Sequence, residues 1–295
     1  MPTALPNFLI IGAMRSGTSS LFHYLRGHPD VFMPRVKDTR YFDLHFSKGL
    51  EWYKAQFSGA NGQRAVGEAS PAYMSFEEAP ARMAQVIPQA RLIAILRNPV
   101  DRAYSHYWHN QARGREPLEF VDAIAAELER IASAGPTQRR DHSYSYLNRG
   151  RYLEQLERFC QYYPRETLQV LLFEDFRDAP LQTFQSLCRF LEIDDTFVPL
   201  DLGAAVNPYV SFRSPRLRDF YHHPWFPRLP VLQQALGRFN TRRGVAYPPL
   251  DSALRAELQR QFEKDNAALA AWLGRDLSCW NPRRAASGLA TPSRS

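Results

Sequence analysis

A segment rich in glycine and hydroxyl residues near the start of the chain has the composition of a phosphate-binding loop. Between an apolar run and the start of a predicted helix, the chain reads Gly12-Ala13-Met14-Arg15-Ser16-Gly17-Thr18-Ser19-Ser20. Glycines let successive backbone N–H groups face one anion, the helix N-terminus adds positive potential, and hydroxyls donate further hydrogen bonds. A plain turn that joins a strand to a helix is the alternative for this segment taken alone.

The order of residues in this loop argues against magnesium-dependent nucleotide chemistry. A Walker A loop needs lysine directly after its second glycine, but here Thr18 follows Gly17, and the cation of the loop is Arg15. The apolar run at 92–96 ends in Arg97 rather than in an aspartate that could bind Mg²⁺. The three cysteines lie far apart and form no Cys/His metal spacing. We therefore expect no metal site, and a P-loop kinase remains as a rival function.

A second segment has the composition of a further phosphate site. It reads Arg97-Asn98-Pro99-Val100-Asp101-Arg102-Ala103-Tyr104-Ser105. Arg97 closes an apolar strand and so lies at the carboxyl edge of the sheet, where α/β proteins bind ligands. Ser105 lies about two turns into the helix that follows, and an arginine and a serine that converge there could bind one phosphate. The alternative is an Arg97–Asp101 ion pair with an exposed Ser105.

Apolar runs alternate with helical patterns along the chain. The sequence predicts strands at 8–11, 91–96 and 167–173. It predicts helices from Ser19 or Ser20 to near Gly27, and at 79–86, 100–109, 152–160, 180–191 and 251–273. Strands that alternate with helices predict an α/β protein in which helices flank a central parallel sheet in three layers.

The length and charge of the chain limit its domain organisation and partners. No segment of the 295 residues reads as a linker, so we expect one domain over 1–280 and a disordered tail over 281–295, with irregular structure at 199–250. The net charge of +7 suits an anionic partner without identifying it. No nucleic-acid motif is present, so we expect no nucleic-acid partner, although a polyanion-binding module remains a rival. No leader pattern and no membrane-length apolar stretch is found, so we expect a cytoplasmic protein without a membrane anchor.

Taken together, the two segments resemble the sulfotransferases that use 3′-phosphoadenosine 5′-phosphosulfate (PAPS). The resemblance implies a P-loop-like fold that binds PAPS without a metal and releases 3′-phosphoadenosine 5′-phosphate (PAP). Arg97 and Ser105 would hold the 3′-phosphate. The 5′-phosphosulfate would be held by Arg15, Ser16, Gly17, Thr18, Ser19 and Ser20.

Several later segments resemble the heparan-sulfate-type, or glycan, branch of that family. Residues 36–43 are similar to its Lys-Glu-x-His-Phe-Phe segment, and residues 67–73 to its Glu-x-Ser/Thr-Pro-x-Tyr stretch. Residues 150–152 and 173–176 are similar to later landmarks, and 242–248 to the loop that closes over the adenosine. This implies transfer of the sulfuryl group to a hydroxyl or amine of a carbohydrate, or to a small hydroxylated acceptor. It also implies nucleotide contacts from Arg242, Arg243 and Gly244.

The same resemblance implies roles at the reacting groups. Asp38 stands where the glycan branch has its general base, a glutamate, while Lys37 and Arg15 would stabilise the departing phosphate. Aspartate is one methylene shorter, so Glu68 is a second candidate base, and a PAPS-binding protein without turnover remains an alternative. A helix cap or an ion pair with Lys37 is the structural alternative for Asp38. Arg40 replaces a frequent histidine, and His109 is expected to be structural or exposed. The implied acceptor-binding residues are Arg40, Asp43, Glu68 and Ser70.

Overall fold

A five-stranded parallel sheet forms the centre of the molecule. A computed structural model describes residues 5–133, 144–203, 210–212, 236, 241–243 and 247–280. The strands are β1 Phe8–Gly12, β2 Val31–Phe32, β3 Ala65–Ala69, β4 Arg91–Leu96 and β5 Leu168–Leu172. Their order across the sheet is β2-β3-β1-β4-β5, and every neighbouring pair is parallel. This confirms the predicted α/β fold.

Two apolar layers cover the two faces of the sheet. Successive strand residues point to opposite faces, so Leu9 and Ile11 of β1 join one buried cluster, while Phe8 and Ile10 join the other. Both sides are buried under helices, which is why β1 and β4 read as continuous apolar runs rather than as alternating patterns.

Strand β3 differs from the runs that the sequence pattern detects. It reads Ala-Val-Gly-Glu-Ala, and all five residues are buried. Gly67 pairs with Phe8 in the parallel register, and a Cβ atom on Gly67 would lie 2.3 Å from Cζ of Phe8. Glycine is therefore required by the close approach of the aromatic ring. Neither β2 nor β3 is among the predicted strands, because one is two residues long and the other contains glycine and glutamate.

The six predicted helices are all present with similar bounds, whereas the helices at 50–55, 120–125, 127–133 and 173–178 were not predicted. Asn98 and Asp251 cap two of them, since each side chain accepts hydrogen bonds from the backbone N–H groups two and three residues ahead. The predicted strand at 167–173 ends earlier, at Leu172, and Phe173 begins a helix instead. The helices are α1 Thr18–Arg26, α2 Leu50–Ala55, α3 Ala79–Val86, α4 Pro99–Gln111, α5 Phe120–Ala125, α6 Glu127–Ser133, α7 Tyr152–Cys160, α8 Phe173–Asp178, α9 Pro180–Leu191 and α10 Ser252–Leu273.

A short antiparallel pair lies in the stretch that was predicted to be irregular. Strand β6, Val210–Phe212, pairs with β7, Thr241–Arg243, and Ser211 lies opposite Arg242. The backbones of Arg242 and Arg243 thus belong to β7, whereas Gly244 and the predicted tail at 281–295 lie outside the described residues. Among the described helices, none is long and apolar enough to cross a membrane.

Candidate active site

The phosphate loop connects β1 to α1 at the carboxyl edge of the sheet. Gly17 has φ of +97°, and Leu21 donates its N–H to the Gly17 carbonyl at 3.1 Å, which starts the helix. A Cβ atom on Gly17 would lie 3.1 Å from the Phe173 ring and 3.4 Å from Ile95, so both the backbone angle and the space favour glycine. The loop therefore presents the N-terminus of α1 at the end of β1.

Lys37 ties the segment after β2 to this loop. Its Nζ donates to Oγ of Ser19 at 3.0 Å and to Oγ1 of Thr18 at 3.4 Å. Burial lowers the pKa of Lys37, and the neighbouring Asp38 carboxylate opposes that shift. Ser16 is fully buried, and its hydroxyl has no hydrogen-bond partner among the residues that the structure describes. Thr18, Ser19 and Lys37 thus form one polar cluster, whereas Ser16 is enclosed and is the one predicted loop residue that does not line the cleft in the described part of the chain.

Arg15 connects the two predicted phosphate sites. Its Nε donates to Oγ of Ser105 at 3.1 Å, and its Nη1 lies 3.2 Å from Nδ1 of His109. Nη1 of Arg97 donates in turn to the Arg15 carbonyl at 3.3 Å. Burial, with a smaller effect of Arg97, lowers the pKa of Arg15 to about 10. The sequence assigned Arg15 to the 5′ end and Ser105 to the 3′ end, and the structure places the two side chains in direct contact.

Arg97 lies where the sequence predicts, just beyond β4. Its guanidinium is 4.8 Å from the centre of the Phe173 ring. The alternative pairing of Arg97 with Asp101 is not formed, because Asp101 binds Arg255 of α10 at 2.7 Å. Ser105 is 3% exposed and lies on α4 facing the same space. The second segment therefore presents both of its predicted binding residues.

These side chains line one cleft of about 370 Å³. Most of the charged side chains that line the cleft are cationic, and Asp38 contributes a carboxylate to the lining. Asp38 is exposed, yet partial loss of surrounding water raises its pKa, and Lys37 and Arg40 oppose the shift. Within the described ranges, no group of three or more His, Cys, Asp or Glu residues could hold a metal ion. The cleft is lined by Met14, Arg15, Gly17, Thr18, Ser19, Ser20, Lys37, Asp38, Arg40, Pro71, Ala72, Arg97, Ser105, His109, Arg113 and Phe173.

Three of the predicted acceptor-binding residues lie behind the cleft rather than in its lining. Asp43 is 1% exposed and accepts a hydrogen bond from Nε of Arg40 at 2.5 Å. Burial raises the pKa of Asp43, and Arg40 opposes that rise. Ser70 is buried and accepts from the backbone N–H of Arg40 at 3.3 Å. Of the four, the structure brings only Arg40 to the cleft.

Glu68 is the third of these residues and is completely buried. Its Oε1 accepts from the hydroxyls of Tyr53 at 3.0 Å and Tyr73 at 2.9 Å, and its Oε2 accepts from the Thr39 hydroxyl. Burial raises the pKa of Glu68 to about 7, while the three hydroxyl donors oppose the rise. A carboxyl group enclosed in this way does not reach an acceptor in the cleft.

The cleft is also lined by two titratable side chains that the sequence did not select as binding residues, His109 and Arg113. His109, expected to be structural or exposed, lies one turn beyond Ser105 on α4 and lines the cleft with Arg113. Nη1 of Arg113 lies 2.6 Å from Nδ1 of His109. Burial, together with Arg15 and Arg113, lowers the pKa of His109 to about 3. The helical spacing from Ser105 to His109 was the available signal, because residues four apart share a helix face.

The fold agrees with comparisons to known proteins. The chain belongs to the sulfotransferase domain family, since the model of that family matches residues 5–207. A crystal structure of a sulfotransferase from Alicyclobacillus acidocaldarius is 31% identical, and the alignment covers 94% of this chain and 99% of that one with a TM-score of 0.72. The chain therefore has the P-loop-like fold of the sulfotransferase family.

Similar curated proteins confirm the resemblance to the glycan branch. The human bifunctional heparan sulfate N-deacetylase/N-sulfotransferase 3 is 28% identical over an alignment of 291 residues, and the alignment covers 94% of this chain and 31% of the human protein. The Drosophila melanogaster bifunctional heparan sulfate N-deacetylase/N-sulfotransferase is 27% identical over an alignment of 288 residues, which covers 90% of this chain and 26% of that protein. The chain thus spans less than a third of the length of these relatives.

Proposed function

We propose that the chain transfers the sulfuryl group of PAPS to an amine or hydroxyl of a carbohydrate. The main support is that the phosphate loop, Lys37, Arg97 and Ser105 line a single cleft, to which the described residues also contribute the carboxylate of Asp38. The membership of the sulfotransferase family supports the reaction type. The names of the relatives, which specify heparan sulfate, support the carbohydrate acceptor.

The residues present fit PAPS as the donor. PAPS carries anionic groups at two ends, and the cleft offers two sets of donors, one from the phosphate loop with Lys37 and one from Arg97 and Ser105. Arg97 and Ser105 would bind the 3′-phosphate, while Lys37 and the N-terminus of α1 would bind the 5′ end. A volume of about 370 Å³ lies within the range of roughly 300–1,000 Å³ that is usual for small-molecule sites.

The reaction needs charge neutralisation and removal of one proton. Bound PAPS would supply a sulfuryl group attached to a phosphate oxygen, and PAP would be the leaving group. Lys37 and the loop N–H groups would neutralise the charge that develops on that phosphate oxygen as its bond to sulfur breaks. Asp38 would accept the proton that the acceptor oxygen or nitrogen loses as its bond to sulfur forms. Its raised pKa makes the carboxylate a better base than an ordinary surface aspartate.

Nucleotide binding can be tested without knowledge of the acceptor. Calorimetric titration of the protein with PAP and with 5′-AMP, in the absence of metal, should show a strong preference for PAP. Arg97→Ala should raise the dissociation constant for PAP by about 10- to 100-fold, because a charge-assisted contact is lost, and should leave 5′-AMP nearly unaffected. Arg189→Ala is the matched control, since Arg189 is an exposed arginine paired with Asp195 at 2.7 Å outside the cleft lining. Equal binding of the two nucleotides would refute the proposal.

Transfer can then be measured with PAPS that carries ³⁵S. N-desulfated heparan sulfate offers amines and hydroxyls, whereas N-acetylated heparosan offers hydroxyls alone, and p-nitrophenol is a non-carbohydrate control. We expect label in a carbohydrate, and comparison of the first two acceptors tells amine from hydroxyl transfer. Label in p-nitrophenol alone would contradict the carbohydrate assignment while leaving PAPS as the donor.

A further inference from the structure

A buried hydrogen-bond network surrounds Glu68 and extends to the segment that carries Asp38. Glu68 accepts three hydrogen bonds from hydroxyl groups, and two of these hydroxyls also bind backbone N–H groups. Thr39 Oγ1 accepts from the N–H of Tyr41 at 3.3 Å, and the Tyr73 hydroxyl accepts from the N–H of Phe42 at 3.3 Å. Each of these two hydroxyls thus donates a hydrogen bond to Glu68 and accepts one from a backbone N–H.

A third backbone group of the segment is held in the same manner. The N–H of Arg40 donates to Oγ of Ser70, and the N–H of Ser70 donates to the carbonyl of Ile10 in β1 at 3.1 Å. Arg40 itself has φ of +55°, a left-handed conformation that is costly for a residue with a Cβ atom. Three successive N–H groups, at positions 40 to 42, are therefore bound to side chains, and this set of bonds stabilises an unfavourable backbone angle.

The network also connects the segment that carries Asp38 to the strands that carry the phosphate loop. Glu68 belongs to β3 and lies opposite Leu9 of β1, the strand that leads into the phosphate loop. Thr39 follows Asp38 directly in the chain. The two carboxyl oxygens of Glu68 accept hydrogen bonds from all three hydroxyls at once. Glu68 thereby fixes the segment of Asp38 relative to the loop that would hold the donor.

We propose that Glu68 is a positioning residue that acts through Thr39 to hold Asp38 at the sulfuryl-transfer site. This inference rests on the proposed function, in which Asp38 is the base. Glu68 touches neither nucleotide nor acceptor, and its effect passes through the hydroxyls of Thr39 and Tyr73. The geometry accounts for a carboxylate inside the core, where burial without hydrogen bonds would be strongly destabilising.

The test removes one hydroxyl and follows Asp38 directly. Thr39→Val keeps the size of the side chain and removes its hydroxyl donor, whereas Thr39→Ser keeps a hydroxyl. Tyr73→Phe removes the second hydroxyl that binds both Glu68 and a backbone N–H. Thr183→Val is the matched control, because Thr183 is a buried threonine in α9 that donates to the Ala179 carbonyl at 3.0 Å. In protein labelled with ¹³C-aspartate, the Asp38 signal is assigned by its loss in Asp38→Asn.

The titration of Asp38 needs no acceptor. The charged and titratable groups that face Asp38 are Lys37, Arg40 and Glu68, and the threonine variants replace none of them. Thr39→Val does remove a hydroxyl that lowers the pKa of Glu68, so deuterium uptake is the measurement that separates a displaced segment from a changed charge on Glu68. We expect Thr39→Val to move the pKa of Asp38 toward its ordinary value and to speed deuterium uptake at 37–42, while exchange in β4 stays unchanged. Thr39→Ser and Thr183→Val should match the parent protein in both measurements.

Turnover provides the second measurement. With N-desulfated heparan sulfate and PAPS, Thr39→Val should lower kcat about 10-fold or more, since small displacements of a catalytic group are costly, without a change in PAP affinity. An unchanged Asp38 titration in both Thr39→Val and Tyr73→Phe would overturn the positioning role. Failure of the parent protein to bind PAP would instead overturn the proposed function, so the two failures are distinct.

Discussion

The loop at 12–17 and the residues after β4 form the proposed nucleotide side of the cleft, and the segment at 37–43 forms the proposed acceptor side. These two sides are held in place by different means. On the nucleotide side, the loop at 12–17 and the residues after β4 continue directly from central strands, so the backbone of the sheet sets their positions. On the acceptor side, the segment at 37–43 contains no regular helix or strand, and buried side chains hold it. One half of the site therefore depends on main-chain pairing, and the other half depends on a few hydroxyl groups.

The largest effect is expected from the acceptor side. Asp38→Asn should lower kcat by about 100- to 10,000-fold, the range for loss of a general base, and should leave the dissociation constant for PAP within about twofold of the parent value. Steady-state transfer from ³⁵S-PAPS and calorimetry measure the two quantities. Asp195→Asn, at an exposed aspartate, is the control. Transfer rates within about threefold of the parent enzyme would place the base elsewhere.

The buried carboxyl of Glu68 should make stability depend on pH. Its pKa is about 7 in the folded protein against an ordinary value of 4.5, so the folded state binds the proton more tightly. The stabilising contribution is complete below pH 4.5 and is lost as the pH rises to 7, a change of up to about 3 kcal/mol in the free energy of unfolding. Glu68→Gln should remove this difference. Urea unfolding of both proteins at several pH values measures it, and parallel curves would contradict the prediction.

On the proposed nucleotide side, substitutions that strain the backbone should have the larger effect on stability and binding. Gly17→Ala should lower the free energy of unfolding by about 1–2 kcal/mol, because alanine is strained at φ of +97° and meets Phe173. Gly62→Ala is the matched control, since Gly62 also has a positive φ, +80°, but has no atom within 4 Å of the added Cβ. Denaturant unfolding should show a greater cost at Gly17, and only Gly17→Ala should also weaken PAP binding. Equal losses of unfolding free energy in the two variants would mean that the loop accommodates the added methyl group without extra strain.

The smallest effect is expected for a single hydroxyl on the nucleotide side. Ser105→Ala removes a hydrogen-bond partner of Arg15 and of the proposed 3′-phosphate. A neutral hydrogen bond is worth about 0.5–1.5 kcal/mol, so PAP should bind about 3- to 10-fold more weakly and 5′-AMP with unchanged affinity. Calorimetry compares the variant with Ser186→Ala on α9, where the hydroxyl donates to the Thr183 carbonyl. An equal loss for both nucleotides would mean that Ser105 acts through Arg15 on the binding of either nucleotide rather than through the 3′-phosphate.

The same contrast explains what the sequence predicts well. Strands β1 and β4 are continuous apolar runs, and each is followed at once by binding residues, so the fold class and the nucleotide side follow from local pattern. Strand β3 was missed because Gly67 and Glu68 are untypical of strands, although Gly67 makes room for Phe8 and Glu68 holds the network. Long-range packing, rather than local preference, selects both residues.

The positions of side chains within the site were harder to predict than the site itself. Asp43 and Glu68 are acidic residues beside motif positions, and only the fold shows that each is enclosed by its own hydrogen-bond partners. The contact between Arg15 and Ser105 joins residues 90 positions apart in the chain. His109 was passed over because a lone histidine carries little information until its neighbours are known.

The parallel register of the sheet has a consequence for folding kinetics. Leu9 pairs with Leu92, and Leu92 pairs with Leu168, so the centre of the sheet joins parts of the chain that are far apart in sequence. Such contacts require closure of long loops before they contribute energy, which slows folding. The contact between Arg15 and Ser105 forms only when β1 and β4 have paired. A fragment that ends before β4 should therefore have no nucleotide affinity, even though it contains the whole phosphate loop.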